Sequence, residues 1–280
     1  DTKIFGHVRK SPYLCSVKFT QRVLSNNMYS YEYPRPALTA DAMVLTFNGR
    51  ALEILLIQRG IEPYKGSWAL PGGFMKMDET IEQCTARELE EETSLKDVYL
   101  QQFGCFSTVN RDPRGRVVTV ASYALVRKSE VKGGDDAMDA RWFEIDNLPE
   151  LAFDHHIIIE KGLERLREDI HFRPVGFQML EETFTMTELQ HIYEAILNRS
   201  FDRRNFAKKM LTTQIVTDAT MDEMEVAAQC CSKCAPEESH VGKLSFSKLP
   251  GTESKPRQRR MFRFSLKNYS SLKDNDSNEF

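Results

Sequence analysis

Six cysteines in 280 residues are too few for a disulfide-dense secreted scaffold, and Cys15, Cys84 and Cys105 lie far apart in the chain. They fit a reducing, cytoplasmic setting. No stretch approaches the roughly 18 apolar residues needed to cross a bilayer, and the opening residues have no secretory apolar segment, so no membrane partner is expected. Neither charge dominates: 38 Lys+Arg against 41 Asp+Glu leave a formal net charge of -3 and a pI near 6.1. A nucleic-acid surface must therefore be local to one part of the chain. Internal repeats are also missing.

The 41% hydrophobic content is enough for two ordinary domains, each with a core. Residues 1–30 are basic and weakly periodic and read as an N-terminal extension, with a transit peptide as a second reading of the same composition. From Ala37 the pattern becomes regular. ALTADAMVLTF and ALEILLIQR flank Asn48-Gly49, a strong hairpin dipeptide, and WALPGGF follows as a glycine-containing loop. Asp78 or Thr80 can cap the helix that comes next. VYLQQFGCFSTV, RVVTVASYALV and ARWFEI read as further strands, and Asp154 precedes a helix through HHIIIEKGLERLREDI. His155 and His156 are read as its opening residues rather than as catalytic groups. Strands interspersed with helices make residues 31–172 an α/β domain.

The helix after the glycine loop carries Glu88, Glu90, Glu91 and Glu92. Positions 88, 91 and 92 share one face, where like charges cost roughly 0.2 to 0.5 kcal/mol per pair unless something relieves them. A hard divalent cation relieves them, and oxygen-only ligation suits Mg²⁺ or Mn²⁺. Spacing alone favours a solvated acidic face in which Arg87 pairs with Glu90 and Glu91.

The whole stretch decides between these readings. Gly73, Glu79, Arg87-Glu88, apolar Leu89, Glu91-Glu92 and apolar Leu95 stand at the spacing of the signature that marks Nudix hydrolases, which this segment resembles. One fixed position differs: the family has Gly where this chain has Ser94, at a helix end where a left-handed turn is expected. The resemblance implies a Nudix α/β/α sandwich around a mixed sheet. It also implies a divalent metal held by Glu88, Glu91, Glu92 and the Gly73 carbonyl, with Glu88 orienting or deprotonating water. Arg87 and Glu79 would hold the helix in place, and the reaction implied is hydrolysis of a nucleoside diphosphate linked to another group. An acid outside the motif often completes such sites, for which Glu130, Asp135 and Asp136 are candidates.

QRGIEPYKGSWALPGGF and NRDPRGR supply Arg59, Tyr64, Trp68, Arg111 and Arg114 as candidate substrate contacts, arginines for phosphate and an aromatic for a base. Each taken singly also fits a structural role, Trp68 in the core and Arg59 as a strand-end charge. Together these segments resemble the ADP-ribose pyrophosphatase branch of the family, which implies ADP-ribose or a related nucleotide sugar as substrate.

Residues 173–270 form a second expected unit. Thr185 and Glu188 make a capping box ahead of Leu189, Ile192, Tyr193, Ile196 and Leu197; NRSF breaks the helix, and Asp202 caps DRRNFAKKML. Two short helices joined by a tight turn suggest a helix-turn-helix, with Arg203, Arg204, Lys208 and Lys209 facing DNA. KPRQRRMFRFSLKNY reads as a basic wing strand contributing Arg257, Arg259, Arg260 and Arg263, after an irregular insertion at about 221–255; residues 271–280 read as a disordered tail. Basic amphipathic helices are also ordinary solvated faces. ELAFDHHII and the helix-turn-helix segment resemble bacterial regulators that join a Nudix domain to a winged helix. That implies DNA as a partner, a homodimer, and an alternative function in which the Nudix pocket senses a nucleotide or sugar effector. Cys230, Cys231, Cys234 and His240 offer a single CxxC and are read as free thiols rather than a zinc site.

Overall fold

The computed structural model describes residues 31–131, 133, 137–219 and 260–273. Its contacts divide the chain into two compact units, one of Asp1–Leu45 with Glu53–Arg165 and the other of Thr46–Leu52 with Leu166–Phe280.

The first unit is built on a seven-stranded mixed sheet. Its strands are β1 (Ala37–Phe47), β2 (Leu52–Arg59), β3 (Trp68–Ala69), β4 (Gly72–Phe74), β5 (Gln101–Phe106), β6 (Val117–Leu125) and β7 (Ala137–Glu144). The order is β3-β2-β1-β6-β5, with β4 pairing β1 and β7 pairing β2; β1 and β6 run parallel and the other registered pairs are antiparallel. The hairpin turn forms where Asn48-Gly49 places it: Asn48 Oδ1 accepts from the amides of Arg50 and Ala51 at 2.9 and 2.8 Å.

The near-continuous apolar run of β1 follows from helices covering both faces of the sheet. Ala42 and Val44 join Leu55, Ile57 and Leu89 of α1 (Ile81–Thr93) in one cluster. Met43 points the opposite way, where α2 (His155–Asp169) approaches so closely that a Cβ on Gly162 would stand 2.6 Å from the Met43 sulfur. This α/β/α sandwich is the architecture the sequence predicts.

The second unit holds the C-terminal end of α2, a 3₁₀ turn at Val175–Met179, α3 (Met186–Leu197), α4 (Arg203–Thr212) and a small antiparallel sheet. That sheet has β8 (Thr183–Phe184), β9 (Val216–Asp218) and β10 (Phe262–Phe264) in the order β8-β10-β9. The Thr185–Glu188 capping box and the Asp202 cap form as expected, and Asn198 ends α3 in the left-handed conformation. Phe184, Leu189, Ile192, Ile196, Phe206, Met210 and Phe262 are all buried, which seats two helices against a three-stranded wing.

The end of the chain differs from expectation. Among the described residues of the basic segment only Phe262–Phe264 is strand, and α5 (Leu266–Lys273) runs through part of the sequence assigned to a disordered tail at 271–280. Ser265 explains the change, since its Oγ accepts from the Asn268 amide at 3.3 Å and turns the chain into a helix. The insertion at 221–255, the CxxC with His240, and Arg257 and Arg259 lie outside the described residues.

Candidate active site

Thr80, rather than Asp78, caps α1, in a reciprocal capping box with Gln83. The helix then presents its glutamates beside β4. Arg87 organises them. Its Nε and Nη2 donate to Glu79 Oε2 and Oε1 at 2.9 and 2.7 Å, and its Nη1 donates to Glu88 Oε1 at 2.6 Å and Glu91 Oε2 at 3.0 Å. A fifth bond ties it to the Phe74 carbonyl at 3.3 Å. Glu90 points away and pairs with Lys96 instead.

These contacts give the glutamates different electrostatics. The charge-assisted bond from Arg87 holds Glu79 down at about 2. Burial raises Glu88 against the opposing pull of Arg87. Burial also pushes Glu92 up to about 8, although its carboxylate accepts from the Gly72 amide at 2.9 Å. Gly73 is tied to this cluster by space: a Cβ there would stand 2.4 Å from the Glu88 carboxyl. The bare backbone at 73 and the all-oxygen donors of Glu88, Glu91 and Glu92 fit a hard cation. Among the described residues, no three His, Cys, Asp or Glu side chains are already gathered as a metal-holding group.

The acidic helix forms one wall of a cavity of about 410 Å³, lined also by Gly72, Gly73 and Arg87. Arg59, Arg111 and Arg114 stand among the other lining residues, so the structure brings three of the five expected substrate contacts to the glutamates. All three are engaged by the protein, Arg59 through its Nε, which donates to the Pro63 carbonyl at 2.8 Å. Arg111 grips Asp154 with two bonds of 2.9 and 2.6 Å, and Arg114 holds Asp112 through Nε and Nη2. Trp68 is not in the lining; it packs edge-on against Phe143 at 4.6 Å, and Tyr64 reaches the cavity only through its contact with Phe153. Glu130 lies exposed in the loop after β6, and Asp135 and Asp136 are outside the described residues.

Three cavity residues escape the sequence reading. Asp41, on β1 between Gly72 of β4 and Ala121 of β6, is buried and accepts from Thr119 Oγ1 at 2.6 Å. Phe153 has a positive φ of 54°, and its ring lies under the guanidinium groups of Arg59 at 4.9 Å and Arg114 at 5.4 Å. His155 does open α2, but it is buried in the cavity wall, where Nδ1 accepts from the Leu70 amide at 2.9 Å. His156 is exposed.

In the second unit, Arg203, Arg204, Lys208 and Lys209 are all exposed on α4, while Phe206 and Met210 bury the other face. Arg260 pairs with Asp218, and Arg263 lies 3.6 Å from Glu182.

Known proteins divide the chain in the same order. The NUDIX domain model matches residues 35–166, and the model of the NrtR DNA-binding winged helix domain matches residues 176–229. An ADPR responsive transcriptional repressor of Acinetobacter baylyi is 32% identical over 203 residues, covering 71% of this chain and 80% of its own. The chain belongs to the Nudix family, in the group that carries an NrtR-type winged helix. The ADP-ribose pyrophosphatase of Methanocaldococcus jannaschii is 43% identical over 128 residues, 46% of this chain and 73% of that one. The crystal structure of Shewanella oneidensis NrtR complexed with a 27mer DNA matches with a TM-score of 0.61 and 28% identity, covering 83% of this chain and 95% of that one. The relatives thus include both a pyrophosphatase and a repressor, and this chain keeps every charged position of the motif from Glu79 to Glu92.

Proposed function

We propose that the Nudix domain, spanning about residues 31–172, binds ADP-ribose or a related nucleoside-diphosphate sugar and hydrolyses its pyrophosphate with Mg²⁺ or Mn²⁺. The observation that carries this reading is the face of Glu88 and Glu91, clamped by Arg87, with Glu92 beside them, opening into a cavity that also holds Arg59, Arg111 and Arg114. Glu88, Glu91, Glu92 and the Gly73 carbonyl would hold the cation. A bound divalent cation supplies charge neutralisation of the pyrophosphate and a more acidic water.

The chain's own residues do the rest. Arg87 and Glu79 set the rotamers of the glutamates, so that little reorganisation remains when substrate binds. Arg59 and Arg114 offer planar cations to the diphosphate, and Glu88, raised by burial, is suited to take a proton from water. The test is turnover of ADP-ribose, sugar nucleotides and NADH with Mg²⁺ by wild type, Glu91→Gln and Glu92→Gln. Unchanged rates in the variants sink the assignment.

A second reading is favoured by the capped α3-turn-α4 pair and its wing, with the match to the NrtR winged helix. In this reading the protein, as a homodimer, represses transcription through Arg203, Arg204, Lys208 and Lys209, and nucleotide in the cavity releases it. Gel shifts against DNA upstream of its own operon check it: binding that weakens with salt and with ADP-ribose supports it, and no binding at low salt refutes it.

A further inference from the structure

The wall of the cavity contains an acceptor and a donor whose positions are fixed by their neighbours, Asp41 and His155. The Asp41 carboxylate uses Oδ2 for the Thr119 hydroxyl at 2.6 Å, and the same oxygen lies 3.9 Å from Arg111 Nη2. Its Oδ1 faces Gly72, where a Cβ would stand 2.7 Å away, so any side chain at 72 would crowd this oxygen. His155 is committed through Nδ1, which accepts from the Leu70 amide at 2.9 Å. A neutral imidazole bonded in this way carries its hydrogen on Nε2. Burial favours the neutral ring, lowering the pKa of His155. Nε2 lies 4.0 Å from Asp41 Oδ1, too far for a direct hydrogen bond.

We infer that Asp41 Oδ1 and His155 Nε2–H form a recognition pair for one sugar hydroxyl of the ligand. An oxygen about 2.8 Å from each atom closes the gap, and it must accept from the imidazole and donate to the carboxylate. A hydroxyl does both. A phosphate oxygen at neutral pH only accepts and would meet the Asp41 charge, so the pair directs the diphosphate toward the arginines and a ribose hydroxyl toward itself. Asp41 and His155 thereby act as specificity-determining residues, since a buried pair built for a hydroxyl penalises an analogue that lacks it.

This inference rests on the proposal that the cavity takes a nucleoside-diphosphate sugar, and the experiment separates the two. Calorimetric titration in EDTA, where turnover is suppressed, compares ADP-ribose with analogues each lacking one ribose hydroxyl. The wild type is expected to bind one analogue about 10-fold more weakly or worse. His155→Asn keeps an acceptor near the Leu70 amide but removes the Nε2 donor, and is expected to bind that analogue and ADP-ribose alike. His155→Gln restores an N–H near the Nε2 position and recovers part of the discrimination. Nitrogen NMR of wild type should show His155 neutral and protonated on Nε2. If wild type binds ADP-ribose and every analogue equally, as a bridging water at this position would produce, the pair is overturned while the proposed function stands. Discrimination undiminished in His155→Asn also overturns it. If wild type fails to bind ADP-ribose at all, the reading of the cavity fails and the pair with it. The wild-type series decides even where a variant does not fold.

Discussion

Arg87 engages Glu79 through two parallel hydrogen bonds, 2.9 Å from Nε and 2.7 Å from Nη2, and this leaves Nη1 to hold both Glu88 and Glu91. One guanidinium thus fixes three carboxylates. A lysine cannot reproduce the fork, because its ammonium is a single point of donation. Arg87→Lys is expected to keep the fold yet lower kcat for ADP-ribose hydrolysis by about 100-fold, the loss typical of misplaced catalytic groups. Steady-state kinetics beside a circular dichroism melt check both halves.

Glu79 and Glu92 respond to pH with opposite signs. The pKa of Glu79 is lowered from 4.5 to about 2 by its bond with Arg87, so its stabilisation is present above pH 4.5 and is lost as pH falls through about 2. The pKa of Glu92 is raised from 4.5 to about 8 by burial. Its contribution is full below pH 4.5 and is lost as pH rises through about 8. In EDTA the melting temperature should therefore fall between pH 5 and 8.5. Glu92→Gln, neutral throughout, should flatten that decline, and an unchanged slope in this variant refutes the account.

Ser94 ends α1 with φ 64° and ψ 11°, the left-handed conformation in which the family uses glycine. A side chain in that region costs roughly 1 kcal/mol, offset in part by the greater freedom of glycine in the unfolded chain. Ser94→Gly should raise stability by about 0.5 kcal/mol without altering kcat, as read from paired denaturant titrations and turnover.

The contrast between Glu88 and Asp41 shows what could be read before the fold was known. Glu88, Glu91 and Glu92 declare themselves because helical periodicity places residues close in sequence on one face. Asp41, Arg111 and His155 belong to three separate segments, and only the pairing of β1 with β4 and β6 brings Asp41 into the cavity. A signal for Asp41 did exist: a lone carboxylate inside the apolar run TADAMVL is costly to bury unless it has a use. Trp68 shows the reverse case. An aromatic beside a glycine loop fits both core and ligand contact, and packing against Phe143 is visible only in three dimensions.

Phe153 sits beneath two cavity arginines with its backbone in an unfavourable conformation, an arrangement of the kind found where strain serves a site. Cation–π contact contributes about 0.5 to 1 kcal/mol per exposed pair. Phe153→Leu is expected to weaken ADP-ribose binding about 5-fold, with Phe153→Tyr close to wild type. The difference between the two variants isolates the ring, because both keep the same backbone demand. Equal affinities in calorimetry would leave the arginines positioned by their other bonds alone.

The four cations of α4 make the DNA reading quantitative. Arg203, Arg204, Lys208 and Lys209 are exposed, and the Asp202 cap, whose side chain accepts from the Asn205 amide at 2.9 Å, holds the first turn that carries two of them. A residue that neutralises a phosphate contributes about one unit to the slope of log affinity against log salt. Lys208→Ala should therefore flatten that slope by about one while weakening binding alike for operator and unrelated DNA. Arg203→Ala, at the N-terminal end of the helix where base edges are read, should instead narrow the gap between operator and unrelated DNA. Asp202→Ala separates support from contact: it should cost about 1 kcal/mol of stability and leave the salt slope as it was. Fluorescence anisotropy across a salt series measures all three, and identical slopes and specificity ratios throughout would place the DNA contact elsewhere in the chain.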